Sequence, residues 1–239
     1  MEDHVVTVWN ILGIPVTNVV IMSWIAMAVI IIWAFVSTRK LSLVPRGVQN
    51  TAEIVVEVLN KFSENMMGKD GRKYAAYLGT VGLFLAISNT IGALFMTELT
   101  NGIICPPTRT MAVPVALAIM TIVIAIGSGI KKKGVGGFIK RLFKPIPIMF
   151  PFNLLEFVIK PLSLSMRLFG NVFGAFVAME LLFAAAPWGL PAIASLYFDL
   201  FDGGLQTFVF VLLTSLYIAE EIEEDEEEEK KPVFEGVNA

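Results

Sequence analysis

The chain has 239 residues, of which 56% are hydrophobic, and its formal net charge is −3. Soluble domains contain about 45–50% apolar residues even when glycine is counted, so this composition disfavours a soluble protein. Several apolar runs reach the roughly 20 residues that a helix needs to cross a bilayer, and short alternating segments typical of a barrel do not dominate. A single cysteine, Cys105, excludes an internal disulfide and a cysteine-based metal site, and a single histidine, His4, excludes a histidine cluster.

The first predicted element is a charge-free membrane span at 18–38, followed directly by Arg39, Lys40 and Arg46. A different kind of helix is predicted at 45–67. Its apolar residues recur at helical spacing with charged residues between them, which is typical of an amphipathic helix on the membrane surface. The first apolar run lacks a basic leader and has full span length, so we interpret it as a retained span.

Two further spans are predicted at 74–98 and 111–131, and the loop between them carries turn signals. The following stretch, 131–144, contains lysine and arginine but no acid. By the positive-inside rule this stretch is cytoplasmic, which puts the N-terminus outside and the C-terminus in the cytoplasm.

The segment 146–186 is too long for one upright span, because about 40 helical residues reach roughly 60 Å and the hydrocarbon core is about 30 Å thick. We predict a helical hairpin or a strongly tilted pair there. A last helix at 192–219 leads into an acidic tail at 220–239, interpreted as a solvated, partly disordered end. The predicted fold is an all-α integral membrane protein with about five transmembrane helices, including a long tilted helical hairpin, and a surface amphipathic helix.

One charged residue, Arg167, lies inside the long apolar segment. A guanidinium stays protonated, and placing it at the centre of a membrane helix costs roughly 2.5–3.5 kcal/mol. Ser163 and Asn171 lie four residues before and after it and share its helix face. Glu156, eleven residues earlier, falls on the same stripe after about three turns. A chain that tolerates this cost usually needs the charge.

The last helix carries a second polar stripe. Asp199 and Gln206 are seven residues apart on one face, and Asp202 lies close to it. Glu180 follows Arg167 by thirteen residues, about 220° around an ideal helix, so it points roughly away from the arginine. Acids and an arginine at membrane depth on two adjacent segments indicate an ion pathway that contains a charge barrier.

Structural interpretations of these residues remain open at this point. Arg167 is also compatible with a structural salt bridge or with a side chain that snorkels to the interface. Asn171 and Gln206 are also compatible with hydrogen bonds between helices. Asp199 and Asp202 are also compatible with a solvated helix end.

Three sequence blocks together resemble subunit a of the F-type ATP synthase, the ion-translocating stator subunit. The specific block is Lys160–Asn171, and Lys132–Phe138 and Gln206–Thr214 support it more weakly. The resemblance extends over about Val44–Ala219. The fold it implies is a membrane bundle in which two long tilted helices curve around the rotor ring of c subunits.

The resemblance implies a role for individual residues. Arg167 corresponds to the essential stator arginine, Asn171 and Gln206 correspond to the polar residues that accompany it, and Glu156 corresponds to an acid upstream. The implied function is a non-catalytic subunit with two aqueous half-channels, which pass protons or sodium ions to and from carboxylates of the c-ring. This ion flow is coupled to ATP synthesis, and Arg167 is the electrostatic gate.

The chain also departs from the family pattern. Where the family often has a carboxylate nine residues after the arginine, this chain has Phe176, and Glu180 follows one turn later. Asp199 stands where some members have histidine. The family pattern Pro-Thr-x-Asp-x-Asn-x-Thr reads Pro107–Pro114 here and lacks the acid and the amide.

From these features we expect three acids on the outer access path and one near the cytoplasmic exit. The outer acids are Glu180, Asp199 and Asp202, and the cytoplasmic acid is Glu156. The partners implied are the c-ring, the peripheral-stalk b subunits, the rest of the complex and the bilayer of a bacterial-type cell membrane. We expect neither a cofactor nor a resident metal ion, and no nucleic acid.

Two other classes of protein stay open. A self-contained cation transporter would use the same acids, although no internal repeat is visible. An intramembrane enzyme would need a catalytic motif, and no His-Glu-x-x-His, Ser/His or paired-aspartate motif is evident. The choice between proton and sodium depends largely on the partner ring.

Overall fold

A short antiparallel hairpin precedes the helices in the computed structural model. It pairs β1 (Thr7–Ile11) with β2 (Ile14–Thr17). The other described residues are helical or connect helices, which confirms the predicted all-α membrane class. The structure describes residues 7–11, 14–39, 41–95, 106–143, 148, 150–186, 191, 194 and 196–222.

The first half of the bundle consists of one lipid-facing helix, one amphipathic helix and one apolar helix. α1 (Asn18–Thr38) has no charged residue and exposes large hydrophobic side chains over its length, as expected for a helix in contact with lipid. α2 (Val48–Met67) alternates charged and apolar residues at helical spacing. A 3-10 segment, Gly68–Lys73, turns the chain into α3 (Ala75–Phe95).

The second half contains three longer elements. α4 (Ala112–Leu142) is interrupted at Gly134, whose positive φ of 72° breaks the helical conformation. α5 (Phe150–Ala185) runs for 36 residues, and α6 (Gly203–Ile222) follows a π-helical segment, Leu196–Asp202. Among the described helices, α1, α4, α5 and α6 are long and apolar enough to cross a membrane, and α3 has a shorter apolar stretch.

The long segment for which a hairpin or a tilted pair was expected forms one continuous helix. At 1.5 Å per residue, the 36 residues of α5 extend for about 54 Å, which exceeds the hydrocarbon thickness and requires tilt. The helix passes through Pro161 without ending, as membrane helices tolerate. The helical hairpin is therefore the pair of α5 and α6, rather than a turn within α5.

Four helices meet in one buried apolar layer. It contains Val81 and Leu85 from α3, Ala118 from α4, Leu164 and Leu168 from α5, and Phe210 from α6. Leu85, Leu164, Leu168 and Phe210 have no exposed surface at all. This layer fixes the rotation of α5, because residues four apart on a helix share one face.

Candidate functional site

Arg167 lies on the outer face of α5. Its neighbours Leu164 and Leu168 point into the buried layer, which leaves the arginine exposed together with Ser163 and Gly170. Within the described residues, no carboxylate or hydrogen-bond acceptor pairs with the guanidinium. An internal salt bridge does not account for Arg167 in that part of the chain. Its charge is presented to whatever contacts this face of α5.

A polar cluster joins α5 to α6 one turn beyond the arginine. Asn171 Nδ2 donates a hydrogen bond to Gln206 Oε1 at 3.1 Å and a longer one to Asp202 Oδ1 at 3.4 Å. Gln206 is 4% exposed, and its Nε2 group has no partner among the described residues. A buried amide donor without a partner is costly, and its N–H groups can donate to an oxygen atom that enters the cluster. The structure thus brings together three of the predicted site residues.

The same cluster extends to α3 through a residue that sequence analysis did not select. Asn89 Nδ2 donates to the Gly203 carbonyl oxygen at 3.0 Å, and Asn89 Oδ1 accepts from Thr108 Oγ1 at 3.1 Å. Gly203 permits this approach, since a Cβ atom there would lie 3.0 Å from the Cβ of Asn89. Two features of the sequence could have indicated this contact. Asn89 is an asparagine inside an apolar helix, and Pro107 and Thr108 keep the first two residues of the family pattern.

A half-open pocket with polar and apolar walls lies between these elements. Asn171, Asp202, Gln206 and Asn89 line it, and so does Arg109 from the 3-10 turn Pro107–Arg109. The Arg109 guanidinium lies 3.6 Å from the centroid of the Phe176 ring, a cation–π contact. In the sequence, Phe176 stands out only as the replacement of a carboxylate, and Arg109 is not among the predicted site residues.

A second charged cluster lies at the other end of α5 and α6. Lys160 Nζ is 3.2 Å from Glu156 and 2.7 Å from Glu220, and Arg141 Nη2 is 3.6 Å from Glu220. Arg141 also pairs with Glu221, whose side chain is 5% exposed. The acids at the start of the predicted tail therefore belong to α6. They are tolerated there because basic groups of α4 and α5 neutralise them.

The remaining predicted residues do not join the pocket. Glu156 forms an ion pair with Lys160. It lies eleven residues before Arg167, which is about 16 Å along the helix. Glu180 is exposed on α5, next to the pocket-lining Met179. The backbone of Asp199 lies in the π-helical segment, and its side chain lies outside the described part of the chain.

No group of three or more histidine, cysteine or acidic side chains suited to a metal ion occurs in the part of the chain that the structure describes. The chemistry of the site consists instead of one exposed guanidinium, a carboxylate and several amides. Such an arrangement can attract an anionic partner at Arg167 and hydrate a carboxylate beside it.

Comparisons with known proteins identify the relatives of this chain. The profile of the family described as ATP synthase A chain matches residues 20–219. "ATP synthase subunit a" of Moorella thermoacetica is 37% identical over 214 residues, covering 90% of this chain and 94% of the relative. "ATP synthase subunit a, sodium ion specific" of Propionigenium modestum is 39% identical over 219 residues, covering 87% and 75%.

Proposed function

Because this chain belongs to the ATP synthase A chain family, we propose that it is the stator subunit through which ions reach and leave a rotating c-ring. The family is a non-catalytic, ion-translocating part of a membrane complex. The finer proposal is that two half-channels in this chain connect opposite sides of the membrane to rotor carboxylates. The partners in this proposal are the c-ring, the peripheral-stalk b subunits and the rest of the complex, in a bacterial-type cell membrane.

The guanidinium of Arg167, which is exposed and has no partner among the described residues, is the observation that carries this proposal. A rotor carboxylate that releases its ion becomes negative and needs a positive partner in the membrane. Two unit charges about 4 Å apart interact by about 4 kcal/mol at an effective dielectric constant near 20. That attraction favours the ionised carboxylate and still allows exchange. The fixed charge also repels a cation that would otherwise leak between the half-channels.

The pocket beside Arg167 is our candidate for the outer half-channel. Asp202, Asn171 and Gln206 line it and provide a carboxylate and amides to an ion or its water. We include Asp199 and Glu180 in this path as predictions, since the described contacts do not link them to the pocket. Neutralising either acid is expected to lower ion flux, and unchanged flux removes that residue from the path.

Glu156 is our candidate for the cytoplasmic exit. It lies in the ion cluster with Lys160, at the end of α5 that is near the basic stretch 131–144. By the positive-inside rule that end is cytoplasmic, and the N-terminus is outside. An exposed carboxylate beside a lysine keeps water near the helix end, which an ion needs on leaving the membrane.

The energy available to this arrangement comes from the membrane potential. Each elementary charge that crosses 100 mV releases about 2.3 kcal/mol. Coupling of ion flow to rotation requires that the ion reach the opposite side only while it is bound to the rotor. A sodium-specific relative and a relative without that description both match this chain, so family membership alone leaves the ion open.

Replacement of Arg167 by alanine tests the proposal. Inverted membrane vesicles that contain the assembled complex are assayed for ATP-driven ion pumping and ATP hydrolysis. We expect R167A to lose pumping while the complex still assembles. The control is R72A, which removes an exposed arginine from the 3-10 segment after α2 and is expected to pump normally.

Two outcomes would contradict the stator function. Normal pumping by R167A would make the arginine structural. Ion flux by the purified chain alone in liposomes would favour a self-contained cation transporter, since a stator subunit conducts only against its rotor.

A further inference from the structure

The basic stretch that ends α4 folds back across the end of the helix bundle. The positive φ of Gly134 separates the long first part of α4 from the short helical part 135–142. In a straight helix, Gly129 and Phe138 would be about 13.5 Å apart along the axis. Here a Cβ atom at Gly129 would lie 3.2 Å from Phe138 Cδ2, and the centroid of the Phe138 ring is 6.0 Å from that of Phe157 on α5. The turn at Gly134 therefore lays the end of α4 against the bundle instead of extending it away from the membrane.

The same turn lies at the level of the lipid headgroups. The apolar part of α4, residues 112–130, is about 28 Å long at 1.5 Å per residue, close to the roughly 30 Å of hydrocarbon in a bilayer. Lys131 is the first charged residue after that part. We take this end of α4 as cytoplasmic by the positive-inside rule, as in the proposed function. The part of α4 after Gly134 then runs along the cytoplasmic membrane interface.

This end of α4 exposes an apolar stripe beside two lysines. Val135 and Ile139, one turn apart, are 61% and 49% exposed, and the exposed Phe143 follows one turn later. Lys140 lies about 100° around the helix from Ile139, and Lys131 precedes the turn. Both lysines are exposed, and no acid among the described residues pairs with either of them. We call these five residues the interfacial surface of α4.

Other basic residues of the same stretch are engaged within the protein. Lys132 Nζ lies 3.1 Å from the Asp70 carboxylate, and Arg141 pairs with the nearly buried Glu221. The two lysines of the interfacial surface instead present their charges outward, next to the apolar stripe. A helix that lies in the interface with an apolar side and a basic side is attracted to anionic lipid through both. The apolar side contacts acyl chains and the ammonium groups attract phosphate.

We propose that the interfacial surface of α4 is a binding site for an anionic phospholipid of the cytoplasmic leaflet. The two lysines attract the phosphate of the headgroup, and the apolar stripe contacts the acyl chains. That contact continues onto α5, since the Phe143 ring stacks on the Phe150 ring with 4.6 Å between centroids. A lipid held there ties the end of α4 to the membrane and, through the pair of Arg141 and Glu221, the end of α6 as well. The inference goes beyond the stator function and does not rest on it.

The test measures how closely phospholipids of different charge approach Ile139. The purified chain carries C105S and I139C, and a bimane fluorophore is attached to the introduced thiol. The chain is reconstituted into phosphatidylcholine vesicles with increasing mole fractions of brominated phosphatidylglycerol or, separately, brominated phosphatidylcholine, since bromine quenches the fluorophore on contact. We expect half-maximal quenching at a mole fraction about fivefold lower for brominated phosphatidylglycerol, because one basic residue near an anionic membrane surface contributes about a factor of five.

Two pairs of substitutions in the labelled chain make the result specific. K131Q/K140Q is expected to abolish the preference, so that the two brominated lipids quench equally. K69Q/R72Q removes two exposed basic residues from the 3-10 segment Gly68–Lys73 and is expected to keep the preference. Raising the salt concentration from 0.1 M to 1 M shortens the Debye length from about 10 Å to about 3 Å, so it is expected to weaken the preference of the chain that keeps all four basic residues.

The outcomes either support the lipid site or overturn it. A preference that K131Q/K140Q abolishes and K69Q/R72Q keeps supports it. Equal quenching by the two lipids when both lysines are present, or a preference that K131Q/K140Q retains, overturns it. The same label is also measured in the assembled complex, where loss of quenching by both lipids would show that a protein partner covers this surface. None of these measurements depends on ion pumping, so failure of this inference is distinguishable from failure of the stator function.

Discussion

Asn171 hydrogen-bonds to Gln206 across the two long helices, with 3.1 Å between Asn171 Nδ2 and Gln206 Oε1. Asn171 lies four residues beyond Arg167 on α5, and both residues of the pair line the pocket. Since Gln206 is 4% exposed, it depends on α5 for its partner. This contact fixes the distance between the two helices at the depth where the proposed stator would meet a rotor carboxylate.

Replacing Asn171 by alanine is expected to reduce ATP-driven pumping by about fivefold to a hundredfold. Losing the partner of a buried polar group costs about 1–3 kcal/mol, and 1.4 kcal/mol corresponds to a factor of ten in rate. The measurement is the initial pumping rate in inverted vesicles, normalised to assembled complex. L205A is the control, because Leu205 is 47% exposed and adjacent to Gln206 in sequence. Wild-type pumping by N171A would show that the contact has no part in translocation.

The ion cluster at the end of α6 leads to a prediction on stability. Glu221 is nearly buried and pairs with Arg141, so E221Q leaves a partly buried guanidinium with less compensation. Breaking a buried pair by removing one partner costs about 3–5 kcal/mol, and the partial exposure of Arg141 places the expected loss near the lower limit. The measurement is the free energy of unfolding in detergent, obtained from denaturant titration of the purified chain.

The control for E221Q is E57Q on the amphipathic helix. Glu57 and Lys61 form a pair at 2.7 Å, but their side chains are 65% and 70% exposed. Exposed pairs of this kind contribute about 0–1 kcal/mol, so E57Q is expected to have almost no effect. Equal destabilisation by the two variants would mean that burial of Glu221 is unimportant.

The fold could be predicted from sequence where hydrophobicity alone decides it. Charge-free α1 and the long apolar α5 are evident from composition, and the helix period places Ser163 and Asn171 on the face of Arg167. The continuity of α5 was not predictable from length alone, because a 36-residue helix and a hairpin bury similar apolar surface. The packing of α5 and α6 against α3 and α4 decides between a continuous helix and a turn within the segment.

The parts of the site that sequence reasoning missed depend on contacts between distant residues. Glu221 and Arg141 are 80 positions apart, and an acidic run read by itself favours a solvated tail. Likewise, Phe176 looked like the loss of an acid until the structure placed Arg109 on its ring. The arginine motif needed no such contact, because its cost in a membrane is a property of a single residue.

Asp70, in the 3-10 segment between α2 and α3, is expected to make the stability of the fold depend on pH. Lys73 and Lys132 lie 2.6 Å and 3.1 Å from its carboxylate, and their hydrogen bonds, with their charges, hold the pKa of Asp70 below its ordinary value of 3.8. A lowered pKa in the folded state means that the ionised carboxylate stabilises the fold above pH 3.8. That stabilisation is lost as the pH falls below 3.8 and through the folded pKa.

The measurement is the unfolding midpoint of wild type and D70N across acidic pH. We expect wild type to exceed D70N by a constant amount well above pH 3.8, and the difference to shrink below it. K132Q is the companion variant, and it is expected to reduce the difference without abolishing it because Lys73 remains. A difference that grows on acidification would contradict the sign of the pKa shift.

Gly71 is expected to be intolerant of any side chain, because it packs directly on the backbone of α2. A Cβ atom at Gly71 would lie 2.0 Å from the carbonyl oxygen of Ser63, and backbone cannot rotate away as a side chain can. G71A is therefore expected to force the 3-10 segment off α2 and to destabilise the fold by about 1–3 kcal/mol or more. Gly127 in α4 has nothing within 4 Å of its Cβ position, so G127A is expected to be neutral or slightly stabilising. The measurement is the unfolding midpoint of G71A and of G127A in the same detergent. A G71A variant as stable as wild type would show that α2 and the 3-10 segment after it do not pack this closely.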